Sequence, residues 1–401
     1  MPLETVGWVK PSLLRWARER LKLTLEDAVK ASSKLGNYWT PVQAEEIRVW
    51  EEGQAVPSLE QLETLAEIYV CPVGYFFLDE IPQEPMPLSF RGLASEKTNR
   101  LSSNTLRTLL RFFELANWTV TLIEESNLSW KSKIAPRQYS ADLSLLDSIV
   151  DKERTFFGWT PEVRDRLQGD VDEAFQWWRK KIESLGIFCF QMKLEPRDIR
   201  GALLWNKSRY PFILVNHHDF EAATGRLFTL LHEYAHLITA TSGIACDFRG
   251  FEAGQNPEPF ANRFAARMLL PHKDLVQRLR ELGEYRKRET WSDTRLDEIR
   301  QPFLVSRDVI AIMLEDLGLA PSGFYKTKRV QWEGRKLWYG RGSRKRPTRR
   351  EIALREVGFS LTRLLRSQHE RENLPLLEAS YVLGMKVEKV PEFLSWAREH
   401  L

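Results

Sequence analysis

Leu227-Phe228-Thr229-Leu230-Leu231-His232-Glu233-Tyr234-Ala235-His236-Leu237-Ile238 is the stretch whose reading decides the fold. Wound as one helix, it sets His232 and His236 four apart on one face with Glu233 beside them. That arrangement grips a zinc ion through two imidazoles and holds a carboxylate against the water the ion binds. The chain has 7 histidines in 401 residues, so this spacing is informative before any context is added. The competing reading is a buried amphipathic helix carrying two core histidines, and a third ligand decides between the two.

A catalytic zinc site takes three protein ligands and leaves the fourth position to water. The third candidate lies in Asn256-Pro257-Glu258-Pro259-Phe260-Ala261-Asn262-Arg263-Phe264-Ala265-Ala266, which continues to Leu270-Pro271. Glu258, Ala261, Asn262 and Ala265 share one helical face, and the alanines let this helix approach the first closely enough for a carboxylate to reach the metal. Glu258 is therefore expected as the third ligand, with Asn262 one turn on, hydrogen-bonding a ligand or the neighbouring backbone. Pro259 keeps a second role open for Glu258, that of a helix-start cap. Glu233 is left as the general base. No residue is singled out as the oxyanion donor; Tyr234 reads as core-facing, and His217, His218 and His272 are weak candidates. Cys246, between the two ligand helices, reads as a bystander thiol.

Working outward, the period changes to two after Gly186. Ile187–Phe190, Gly201–Trp205 and Phe212–Asn216 read as three short strands of a small sheet. The motif helix, starting near Ala223, is its natural partner, and a sheet edge beside the metal site is a place for an extended peptide to add as a strand. Helices are expected from Asn104 to Ser126, from Val171 to Leu185, over much of 271–318, and about three times between 348 and 401. The unit around Val305–Val309 reads as packing. The fold class is α+β and predominantly helical.

Composition supports a folded chain: 43% of residues are hydrophobic and the formal net charge is +4. Cys71, Cys189 and Cys246 are too far apart in sequence to read as a disulfide framework and fit a reducing cytoplasm. The start lacks the pattern of a secretory signal, and no run reaches the roughly 18 apolar residues of a membrane span. A cytoplasmic protein without a membrane partner is expected.

Charge is uneven along the chain. Residues 1–82 hold 8 basic and 13 acidic side chains, whereas residues 321–350 hold 11 basic side chains against Glu333 alone. In that second stretch Phe324, Tyr325, Trp332, Trp338 and Tyr339 interleave with the charges, which suits backbone contact and base stacking with DNA or single-stranded nucleic acid. Lys328, Arg329, Arg335, Lys336, Arg344, Lys345 and Arg346 are the candidates, and a solvated connector is the alternative.

Two resemblances follow. Leu14 to Ala28, Val49-Trp50-Glu51-Glu52-Gly53-Gln54-Ala55-Val56-Pro57-Ser58 and Leu62–Ala66 resemble the helix-turn-helix domain of the phage-repressor (XRE) type. In that family the third helix enters the major groove; here Thr40–Gln54 carries Glu45, Glu46, Glu51 and Glu52 against Arg48, which opposes phosphate. Phe228–His236 and Glu258–Ala266 with Leu270-Pro271 resemble the ImmA/IrrE zinc metallopeptidases over about Leu106 to Leu319. This second resemblance implies a zincin-like core with zinc on His232, His236 and Glu258, Glu233 as base, and a repressor protein as substrate in a stress-response or mobile-element switch. The expected division is 1–82 helix-turn-helix, 83–103 linker, 104–320 metallopeptidase, 321–350 basic aromatic connector and 351–401 helical region. The rival reading is a DNA-binding regulator or antitoxin-like protein with a vestigial metallopeptidase core.

Overall fold

The computed structural model describes residues 9–35, 39–82, 103–126, 130–131, 133–134, 138–167, 170–195, 199–205, 210–217, 223–239, 258–333 and 347–400. The expected linker up to residue 102, His218, Cys246 and residues 334–346 lie outside them. The chain forms two compact units, Met1–Glu114 and Leu115–Leu401. Among the described residues no helix is long and apolar enough to cross a membrane.

The first unit contains α1 (Pro11–Arg20), α2 (Leu25–Ser32), α3 (Ala44–Glu51) and α4 (Leu59–Tyr69), followed by a short 3-10 turn at Val73–Phe77. The sequence punctuation explains the breaks. Thr24 and Ser58 each form a capping box, with Asp27 and Gln61, and so satisfy amide donors that a helix start leaves unpaired. Leu13, Leu14, Ala17, Ile47, Trp50 and Leu65 are among the residues that make its core. Of the acidic residues in the third helix, Glu51 is not a surface charge: it is buried and takes two hydrogen bonds from Arg18, both 2.7 Å. Glu45 pairs with Arg48 at 3.0 Å.

The second unit begins within α5 (Ser103–Glu125) and continues through α6 (Leu146–Phe157), α7 (Pro161–Leu167) and α8 (Val171–Glu183). A three-stranded sheet follows, β1 (Phe188–Met192), β2 (Gly201–Trp205) and β3 (Pro211–Asn216), in the order β1-β3-β2. β1 runs parallel to β3 with Phe190 opposite Leu214, and β2 runs antiparallel to β3 with Leu203 opposite Ile213. All of β3 is buried. Then come α9 (Ala223–Thr239), α10 (Glu258–Leu269), α11 (His272–Glu281), α12 (Asp293–Arg300), α13 (Arg307–Asp316), α14 (Phe324–Glu333), α15 (Arg349–Glu370), α16 (Leu376–Leu383) and α17 (Val390–Ala397). The motif helix α9 packs on β2, β3, α8 and α10, as an apolar helix beside a small sheet must to bury its surface.

Two features differ from the division expected from sequence. Residues 324–333, inside the expected basic connector, form α14, and its Phe324 and Trp332 belong to the main core. The helical C-terminal region is bound into this unit, because α15 packs along β1.

That packing closes one edge of the sheet. On β1, Cys189 N–H donates to Glu183 Oε1 at 3.1 Å and Cys189 C=O accepts from Arg179. Glu183 Oε2 in turn accepts the Phe359 N–H at 2.9 Å, and Arg179 donates to Arg355 C=O at 2.7 Å. Gly358 breaks α15 there, with φ 82° and ψ 178°. A Cβ on Gly358 would collide with Glu183 Oε1 and lie 2.6 Å from both the Arg179 guanidinium and Cys189 O.

Gly358→Ala is therefore expected to destabilise the protein by roughly 3 kcal/mol, since strain and overpacking act together. Gly158, at φ 70° with open space where a Cβ would go, is the control; Gly158→Ala should cost only about 1 kcal/mol. Urea midpoints of the two variants measure this, and equal losses would contradict the docking of α15 against α8 and β1.

Candidate metal centre

Helix α9 is buried almost all round: Leu230, Leu231, Tyr234, Ala235, Leu237 and Ile238 are essentially inaccessible. A helix apolar on every face belongs in a core, and here the histidines open the one polar line along it. His232 and His236 retain 14% and 10% side-chain exposure, while Glu258 retains 47%, so the site opens to solvent on the α10 side. From behind, Tyr234 donates to the buried Glu153 of α6 at 2.7 Å, and Tyr139 donates to its other oxygen at 2.8 Å. Hydrogen bonds to a charged acceptor contribute about 1.5–3 kcal/mol each, enough to fix the rotation of α9. Tyr234 thus faces the core, as its place in the sequence suggests.

Glu258 is the first residue of α10, with Pro259 in the first turn, where a missing N–H costs nothing. The helix start and the ligand position are compatible, so Pro259 does not move Glu258 away from the site. Ala261 and Ala265 are buried where α10 crosses α9. Their small side chains permit the approach.

The three donors converge. His232 Nε2 and His236 Nε2 are 3.0 Å apart, and each is near a different Glu258 oxygen, at 3.4 Å and 3.2 Å. An ion with ligands at roughly 2.0–2.1 Å in tetrahedral array separates them by about 3.3 Å, so the donor set fits zinc in chemistry and spacing. Among the described residues this is the one group of three or more His, Cys, Asp and Glu arranged to hold a metal. Burial pushes the Glu258 carboxyl up, but hydrogen bonds and charge from His232 and His236 outweigh it and hold the group well below the usual carboxylate range.

Glu233 lies beside this set and outside it. It is 8% exposed, and burial pushes its carboxyl up to about 7, with His236 pulling down and Glu258 pushing up. A carboxyl titrating near neutrality both accepts and returns a proton. Its position depends on Gly201, a residue that sequence reading placed only in a strand. A Cβ there would come within 2.8 Å of Glu233 Oε1 and 2.5 Å of Thr229 Cγ2. An isolated glycine in a strand is the signal for such a close approach.

The remaining candidates separate. Asn262 is half-buried, and among the described residues it makes no hydrogen bond to the three donors. His217 Nδ1 is engaged by Arg226 at 3.0 Å. His272 sits on α11 with its pKa lowered by burial and then by Arg267. Lys328 pairs with Asp293 and Arg329 with Asp308, each at 2.9 Å, on a packed helix. Arg335, Lys336, Arg344, Lys345 and Arg346 lie outside the described residues.

Residues 182–315 match the family model Peptidase_M78, described as the IrrE N-terminal-like domain. The matched segment starts in α8, runs through the sheet, α9 and α10 and ends in α13, a narrower span than the resemblance drawn from Leu106 to Leu319. It supports a metallopeptidase of the IrrE/ImmA type, an enzyme that uses a divalent metal. No curated protein and no solved structure matches the chain.

The geometry predicts about one equivalent of zinc per chain, retained through gel filtration. His236→Ala and His232→Ala should each fall below about a tenth of that, because two remaining donors do not hold the ion against buffer. Metal analysis by inductively coupled plasma mass spectrometry checks it, and full zinc in either variant would contradict the site.

Proposed function

We propose that this protein is a zinc-dependent endopeptidase that cleaves a regulatory protein, a transcriptional repressor, in a stress-response or mobile-element switch. The observation that carries the reading is the convergence of His232, His236 and Glu258 with a second, buried acid, Glu233, at their side. Zinc, when bound, supplies Lewis acidity toward a carbonyl oxygen and a water acidic enough to attack at neutral pH. His232, His236 and Glu258 hold the ion through Nε2, Nε2 and a carboxylate oxygen. Glu233 takes the proton from the attacking water and returns it to the leaving amine.

The sheet supplies a support for the substrate backbone. Asn216 N–H donates to Arg200 C=O at 2.8 Å, which sets the phase of the β2–β3 ladder. In that phase Ala202 and Leu204 bond to β3, while Gly201, Leu203 and Trp205 direct their N–H and C=O groups outward. Among the described residues no strand pairs with that edge of β2. An extended peptide added there runs past Gly201, where the strand lies against the carboxylate of Glu233. A flexible, extended segment of a protein suits this edge better than a folded surface.

The regulatory target rests on the repressor-like front sequence joined to a peptidase core. The rival, a DNA-binding regulator with a vestigial core, finds less support. A vestigial site has no need of an intact donor set, Arg48 is paired with Glu45, and Lys328 and Arg329 are paired within their own unit.

Glu233→Gln should keep its zinc and lose cleavage of the cognate repressor by roughly 10²-fold or more, because the proton acceptor is gone while the ligands remain. A repressor digest with metal analysis on the same sample measures both. Loss of zinc in this variant would make Glu233 structural. For nucleic acid, replacing Arg344, Lys345 and Arg346 together by Ser in the full chain should weaken binding to any sequence and flatten its salt dependence. Tight, sequence-selective binding that survives the triple change and is lost in Arg48→Ala would favour the regulator.

A further inference from the structure

Two choices of residue in this core are unfavourable when each is taken alone. Arg263 and Arg267 stand four apart on α10, a spacing at which like charges repel along a helix. Asp316 is the last residue of α13, at the negative end of the helix dipole, with no basic residue in that turn to offset it. The structure joins the two. Arg263 Nε donates to Asp316 Oδ1, and Arg267 Nη2 donates to Asp316 Oδ2 at 3.1 Å. The Asp316 side chain is 3% exposed, so both bonds go to a carboxylate withdrawn from water. Arg267 also reaches Asp147 Oδ1 of α6 at 2.7 Å, but that carboxylate is 72% exposed and contributes little.

The two arginines grip α10 from behind the metal centre. Ala261 and Ala265 are the small residues where α10 crosses α9, and each arginine follows one of them by two residues, about 200° round the helix. Packing on the α9 side is apolar and carries no direction of its own. On the α13 side, donors from successive turns of α10 converge on one carboxylate, and charge-assisted bonds of this kind fix both the rotation of the helix and its position along its axis. Glu258 begins the same helix five residues before Arg263, about 7.5 Å away along a stiff rod. A slip of α10 against α13 therefore moves the Glu258 carboxylate by the same amount against His232 and His236, now 3.4 and 3.2 Å away.

We propose that Asp316 is a positioning residue for the metal centre: by holding Arg263 and Arg267 together it sets where α10 presents Glu258, an inference that rests on the metal-binding reading above. Asp316 touches neither ion nor substrate, and it lies one residue beyond the segment that matches the family model. Its effect runs through α10 to one ligand of the three, while α9 holds the two imidazoles independently.

The test titrates the full chain with cobalt(II), followed by its visible band, at a temperature where circular dichroism shows each variant folded. Asp316→Asn keeps the size of the side chain but turns an amide donor toward a guanidinium, and should weaken cobalt binding about 10-fold or more. Arg263→Gln removes one strut and leaves Asp316 paired with Arg267, so it carries the test even where Asp316→Asn does not fold; a loss of about 3-fold is expected, the weight of one ordinary hydrogen bond. In a Glu258→Ala background, where two imidazoles bind the ion more weakly, neither change should alter affinity by more than about twofold, because the ligand they place is gone. A merely structural role would lower the thermal midpoint and leave cobalt affinity where it was. Unchanged affinity in the folded variants, or equal losses with and without Glu258, would overturn the inference and leave the metal centre standing. A wild-type chain that binds no cobalt would remove the metal centre and this inference with it.

Discussion

The site depends on how closely α9 and α10 approach. Three lone-pair donors, two imidazole nitrogens and a carboxylate, are held 3.0–3.4 Å apart by elements whose other faces are buried. Nothing in the donors themselves favours that crowding, since a histidine pair and a carboxylate in water would separate and hydrate. Packing imposes it. Ala261 and Ala265 remove the bulk between the helices, and Tyr234 pins the rotation of α9 through Glu153. The core thus meets in advance the ordering cost that metal binding would otherwise carry.

A second constraint concerns the sheet. With only three strands it has two edges, and unpaired edges recruit other chains. The β1 edge is satisfied by side chains: Arg179 and Glu183 take the place of a fourth strand at Cys189 and tie it to α15. Burial pushes the Glu183 carboxyl up, with Arg179 and the amides of Phe359, Cys189 and Ser360 opposing. A buried pair of this kind contributes little net stability compared with apolar packing, but removing either partner is costly, so it acts as a specific latch. With β1 closed by side chains, the other edge is that of β2, with which no further strand pairs among the described residues, and β2 begins against Glu233.

Much of this was legible in the sequence because its signals are local. The i, i+4 histidines, the alanine-rich second helix and the period-two strands between turn residues each announce their structure within a dozen residues. Glu258 was readable for the same reason. Long-range features were not. Arg179 and Glu183 stand four apart on one helix, a spacing that does not tell a surface pair from a buried one, and both are buried where α15 docks. Nothing in the residues around Gly358 signals that it meets this pair. Lys328 and Arg329 read as part of a cationic run because their partners, Asp293 and Asp308, stand more than 20 positions away in sequence.

The central claim is that His232, His236 and Glu258 together hold one zinc ion with room for a water. X-ray absorption at the zinc edge of the purified full chain tests it most directly. The account predicts a first shell of nitrogen and oxygen only, at about 2.0–2.1 Å, with the outer scattering of two imidazoles. A sulfur ligand at about 2.3 Å, a shell with one imidazole or none, or protein that carries no zinc would contradict it.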